Sequence, residues 1–169
     1  MMSSNLAKAF LLLISALMVS LARGTALAAQ SLYVLQTGTP VGIKNFIRPE
    51  DGCNWSGIGG QVFDGDGYPI TGLIVKVSGS LEGSEILRFV YTGNTPKFGP
   101  GGFGIELTDH PAASTGTVFF QLLDINGVPR SAQFSIDTYG TCEQNLLLIN
   151  LYEETFEFQY YFPSILNDL

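Results

Sequence analysis

Residues 53–79 read CNWSGIGGQVFDGDGYPITGLIVKVSG. Glycines recur every few positions, the lone tryptophan Trp55 precedes them, and the acidic run Asp64-Gly65-Asp66-Gly67 leads towards a dense apolar stretch. Three readings compete: a metal loop, a phosphate cradle, or a tight turn between two strands. Calcium takes about six to eight oxygens, and an EF-hand loop continues with a further acid and ends on Glu. Here Asp64 and Asp66 are followed by Pro69 and Gly72, and Glu82 and Glu85 lie beyond. Phosphate loops sit between a strand and a helix, and a P-loop carries a Gly-Lys pair. GIGG at 57–60 runs into a strand pattern, and GPGGFG at 99–104 has no Lys after it. The turn reading survives: Asp64 can accept backbone N–H bonds, Gly65 and Gly67 adopt conformations other residues resist, and Pro69 presets the chain for exit. The stretch is therefore expected to form the first hairpin or corner of a β structure, with no metal.

The same alternation continues along the chain. Short runs rich in Val, Ile, Phe and Tyr are separated by Gly, Pro, Asn and Asp, which is the strand signature. Strands are expected near Gly57–Phe63, Leu73–Gly79, Glu85–Tyr91, Gly102–Leu107, Thr117–Leu123, Ala132–Asp137 and Asn145–Tyr152. About seven strands in this length suit a β-sandwich. The segments VFDGDGYPITG and LLDINGVPRSA share the order apolar, apolar, Asp, then Gly and Pro at matching offsets. The simplest explanation is the same turn chemistry used twice.

The N-terminus has a different character. Lys8 precedes the apolar run Ala9–Leu21, and Ala26 and Ala28 frame a small-residue cleavage site. The run is too short for a bilayer span of about 20 residues and fits a secretory signal. Residues 1–28 are expected to be removed, leaving a secreted or cell-surface chain with no membrane span. The loss of Lys8 and Arg23 takes the net charge from −7 to −9, with 15 acidic residues against 6 basic. An acidic chain repels phosphate backbones, so nucleic acid is not an expected partner.

Cys53 and Cys142 are the two cysteines. In an oxidising compartment such a pair closes. A loop of this length is worth at most about 4–5 kcal/mol in the chain-entropy account. They lack redox C-x-x-C spacing, and with one histidine they make a poor zinc set. Residues 29–52 form a mixed lead-in expected to run extended along the sandwich, 53–152 the sandwich itself, and 153–169 an aromatic tail or extra edge strand.

Gly60, Val62, Asp64, Gly67, Pro69, Gly72, Val75 and Val77 carry a further message. The stretch GIGGQVFDGDGYPITGLIVKVSG resembles the opening of carboxypeptidase-regulatory-like domains, a transthyretin-like, Ig-like group. GPGGFGIELT, with Gly102, Phe103, Ile105 and Leu107, is similar to a later segment of that family. The resemblance covers roughly residues 57–107. It implies an all-β, Ig-like/transthyretin-like Greek-key β-sandwich acting as an accessory or structural module, with no cofactor. This chain departs from the pattern in the CNW segment and in its aromatic tail.

Catalytic chemistry finds little support. His110 is the sole histidine, with Asp109 beside it and Ser114 four residues on, and no Gly-x-Ser-x-Gly elbow occurs. A His-Pro turn is the plainer reading. Among 15 acids some carboxylate pair is inevitable, so pairing carries no glycosidase signal. The expected role is non-enzymatic: interaction with a cell-surface protein, or structure. The alternative is a carbohydrate-binding module. Its aromatic contacts would come from Tyr68, Tyr91, Tyr139, Tyr152, Tyr160 and Tyr161, with Trp55 placed in the core over the disulfide. Asn54-Trp55-Ser56 is a glycosylation sequon. The tail FEFQYYFPSIL can either pack as a final strand or add as a strand to another protein.

Overall fold

The computed structural model describes residues 33–154 and is all-β. Its strands are β1 (Tyr33–Leu35), β2 (Val41–Ile43), β3 (Ser56–Phe63), β4 (Ile74–Leu81), β5 (Ser84–Tyr91), β6 (Gly102–Thr108), β7 (Ser114–Leu123), β8 (Phe134–Thr138), β9 (Leu146–Leu148) and β10 (Leu151–Glu153). They form two sheets. One is antiparallel, in the order β5-β4-β7-β8. The other is built around β3. Strand β6 pairs antiparallel with one edge of β3, while β9 and then β10 run parallel along its other edge. Outside them, β2 pairs with β9 and β1 with β10.

Alternation explains the layering. Ile58 and Val62 of β3, Phe103, Ile105 and Leu107 of β6, and Leu147, Ile149 and Leu151 point inward. They meet Val75 and Val77 of β4, Val118, Phe120 and Leu122 of β7, and Ile136 of β8 in one buried cluster. Side chains two apart on a strand share a face, so one apolar set per strand suffices. The sheets therefore pack face to face as a sandwich.

Two features depart from the sequence expectation. The segment expected as a lead-in supplies β1 and β2 to the sheet. Each is a three-residue strand, shorter than the runs that periodicity resolves. The single strand expected over Asn145–Tyr152 is divided at Ile149 and Asn150. Residues 36–40 lie opposite this pair, five against two, so the ladder breaks. Asn150 spans the gap. Its Oδ1 accepts from Gln61 N (3.0 Å) and its Nδ2 donates to Gln36 Oε1 (2.9 Å). Gly60 makes the break tolerable: a Cβ there would overlap the Ile149 carbonyl.

A second, smaller core covers the outer face of the β3 sheet. Trp55, Ile47 and Leu146 are buried there, with Ile43 and Phe98 packed against them. Cys53 and Cys142 are joined, with Cα atoms 5.1 Å apart, at the edge of this cover. Inside it, two buried asparagines replace missing ladder bonds. Asn45 N donates to Asn145 Oδ1 (2.8 Å), and Asn145 Nδ2 donates to the carbonyls of Gly52 and Trp55 (both 2.9 Å).

Because the obstacle at Gly60 is backbone, the structure has nothing flexible to move aside. Gly60→Ala is expected to lower the unfolding free energy by at least about 2 kcal/mol in urea titrations. Gly140→Ala meets nothing nearer than the Ala113 Cβ at 3.5 Å and is expected to change it by under about 0.5 kcal/mol.

Candidate functional site

The acidic loop at Asp64 is a turn, and it is built twice. Asp64 Oδ1 accepts from the N–H groups of Asp66 (3.0 Å) and Tyr68 (2.7 Å). Asp124 Oδ1 accepts from Asn126 (2.8 Å) and Val128 (2.9 Å). In both, the Asp N–H donates to the carbonyl four residues on, and the glycine three residues on donates back to the Asp carbonyl. Gly67 and Gly127 hold φ of 85° and 79°, and Pro69 and Pro129 rejoin the strands at Phe63 and Leu123. The Asp64 turn carries the chain from one sheet to the other, so it is a corner. The Asp124 turn joins β7 to β8 within a sheet. The motif residues Gly60, Val62, Asp64, Gly67, Pro69 and Gly72 thus divide into one close-approach glycine, one core valine and the parts of this corner.

His110 is clamped between carboxylates. Its Nδ1 lies 2.7 Å from Asp109 Oδ1 and its Nε2 2.9 Å from Glu82 Oε2. Glu82 has φ of 51° at the tip of the β4–β5 hairpin, so the clamp ties that tip to the β6–β7 loop. Ser114 is not brought into it; its hydroxyl pairs with Thr138 Oγ1 at 2.9 Å.

The aromatic candidates scatter. Tyr68 is exposed on the corner, Tyr91 is exposed at the end of β5, and Tyr139 is half-buried with its ring over Gly42. Tyr160 and Tyr161 lie outside the described residues, as do the expected signal segment and all of the tail beyond Glu154, while Glu153, expected to begin the tail, ends β10. Trp55 is buried, with its ring lying over Gly57.

Among the described residues, three surface cavities stand out. One, of about 430 Å³, lies beside Trp55 under Arg48, Lys97 and Glu106. Its polar groups are already engaged: Arg48 pairs with Asp51 and Glu106, and Lys97 donates to the Ile47 carbonyl. Among the described residues the Trp55 Nε1–H has no partner, but it is sealed from solvent and offers nothing to a ligand. A second, of about 340 Å³, sits at the corner, where Tyr152 and Phe63 stand side by side near Gln36 and Asp64.

The third, of about 390 Å³, runs between Arg88–Val90 of β5 and Gly104–Leu107 of β6. These are the outermost strands of their sheets, and among the described residues neither has a strand partner on this side. On the opposite side of the sandwich a backbone link joins the two sheets. There Tyr33 N donates to the Arg130 carbonyl at 2.9 Å, bridging β1 to the β7–β8 link. On the open side, Leu87, Phe89 and Tyr91 project outward from β5 and are 56%, 58% and 54% exposed. Half-buried Ile74 and Phe119 extend the same face. Sequence reasoning named Tyr91 alone. The outward register of β5 was the missing signal, because ILRFVY reads as almost continuously apolar.

No protein-family model, curated protein or solved structure matches this chain.

The clamp sets the pH behaviour of this region. Hydrogen bonding to Asp109, and then to Glu82, raises the His110 pKa above its ordinary 6.5. The bond to His110 lowers that of Asp109. A raised imidazole pKa stabilises the fold fully below the unfolded value, and that contribution is lost as pH rises through the folded value. The depressed carboxylate contributes above its unfolded value and is lost as pH falls through its folded one. NMR titration of His110 is expected to give a midpoint above 6.5, moved downward by Glu82→Gln. A midpoint unaltered by that substitution would show that Glu82 does not hold the ring.

Proposed function

We propose that this chain is an exported, non-enzymatic, Ig-like/transthyretin-like Greek-key β-sandwich that binds an extended segment of a protein partner along β5. One observation carries the reading: an exposed apolar stripe coincides with a backbone edge that, among the described residues, no strand pairs. Isolated exposed apolar residues are ordinary, but Leu87, Phe89 and Tyr91 share one face. An unpaired edge offers N–H and C=O groups to another strand, and alternate side chains then give specificity. Pairing along β5 would satisfy the backbone and cover the stripe together. The export reading is supported by the Cys53–Cys142 pair and by the signal-like residues 1–28.

A second reading, carbohydrate binding, is favoured by the paired Phe63 and Tyr152 at the corner, beside the Gln36 amide and the Asp64 carboxylate. An aromatic face can stack on an apolar sugar face while polar groups orient the hydroxyls.

Peptides of alternating apolar and polar residues, tested by titration against the mature chain, separate the two. Phe89→Glu is expected to weaken peptide binding at least tenfold, and Tyr152→Ala to leave it unchanged. Silence towards peptides, with glycan-array binding lost in Tyr152→Ala, would transfer the assignment to the sugar reading. Ester or glycoside hydrolysis abolished by His110→Ala would overturn the non-enzymatic one.

A further inference from the structure

The open edge of β5 has a candidate occupant in the chain itself. Residues 158–162, FQYYF, place Phe158, Tyr160 and Phe162 two apart, the spacing of Leu87, Phe89 and Tyr91. Pro163 follows and lacks the N–H that a longer ladder would need.

The topology brings the two together. Tyr152 of β10 is level with Phe63 at the end of β3. Strand β6 runs antiparallel to β3, with Gly102 opposite Gln61, so β6 begins at this same end. Gly93 N donates to the Gly102 carbonyl at 2.7 Å, which fixes the Tyr91 end of β5 there too. The chain beyond Glu154 therefore sets out from the end of the sandwich where the β5 stripe starts. Continuing along the open side, it would travel from Tyr91 towards Ser84, antiparallel to β5. The crossing past β3 and β6 is about three strand spacings, roughly 15 Å. The four links from Glu154 to Phe158 extend to roughly 13–14 Å, so the aromatics arrive at the mouth of the groove.

We propose that residues 158–162 pair antiparallel with β5 in the same molecule, seating Phe158, Tyr160 and Phe162 against Tyr91, Phe89 and Leu87. The segment then covers the face on which the preceding reading depends, and a partner strand must displace it. This inference rests on that reading of β5 as a strand-accepting edge.

A double-cysteine full-length mature chain, Phe89→Cys with Tyr160→Cys, tests the pairing under dilute oxidation. Directly opposed residues on paired strands lie within disulfide reach. The expected product is a monomer whose digest contains the 89–160 cross-link beside the native 53–142 one. Ile125→Cys with Tyr160→Cys, at a turn away from this edge, is expected to cross-link at least tenfold less. Equal yields in both, or no 89–160 cross-link, would overturn the proposal. Cross-linking only in covalent dimers would assign the segment to a neighbouring copy and likewise overturn it.

A second measurement does not depend on cysteines. Phe158→Ser with Phe162→Ser is expected to tighten binding of the alternating peptide at least fivefold, by removing its competitor. Peptide binding that is present but unchanged by these substitutions refutes the tail while leaving the β5 reading standing. Absence of peptide binding in both chains refutes the β5 reading itself.

Discussion

The structure depends on a strand whose first half must be bare on its outer side. Strand β3 has neighbours along both edges, because β6 takes one and β9 with β10 divides the other. Its inner face enters the main core through Ile58 and Val62. Its outer face lies under aromatic rings: a Cβ on Gly57 would overlap Trp55, and one on Gly59 would overlap Phe98. Those rings rest on backbone because no side chain intervenes. Phe46 closes over Phe98 edge to face, with ring centroids 5.2 Å apart. The glycines here give room, and φ > 0 is not what they supply. Remove that room and the Trp55 cover, the Asn45–Asn145 bonds beneath it and the linked cysteines lose their common footing.

A sheet covered on both faces needs its irregular cover satisfied as thoroughly as its ladders. Buried backbone groups without partners are costly, and the cover loop has no strand to supply them. Asn45 and Asn145 stand in for that strand by accepting and donating at 2.8–3.1 Å. Asn150 does the same where the parallel partner of β3 breaks. Burial of this kind covers part of the outer face of the β3 sheet. The side that no described strand closes, between β5 and β6, is where an exposed apolar stripe remains.

Much of the fold was legible because β3 to β8 are short apolar runs bounded by Gly, Pro, Asn and Asp, and the turn residues carry their own mechanism. The repeated Asp-x-x-Gly-x-Pro pattern announced two turns of one construction, and Asp64 and Asp124 make them with matching bonds. The GIGG segment was read correctly as strand, but its purpose was hidden, since Phe98 is 39 residues away in sequence. The three structural asparagines carried no signal, because an amide that bridges loops looks in sequence like one that faces water. The candidate site was less legible than the fold. Which residues of β5 face outward is decided by pairing with β4, and that no described strand pairs its other edge is decided by elements far along the chain.

The bare outer face of β3 is tested most directly by a double-mutant cycle in urea unfolding between Gly59→Ala and Phe98→Ala. The added methyl is expected to cost about 2 kcal/mol with the Phe98 ring present and less than half as much once the ring is removed. Equal costs in both backgrounds would contradict the claim that the glycines of β3 exist to seat the aromatic cover.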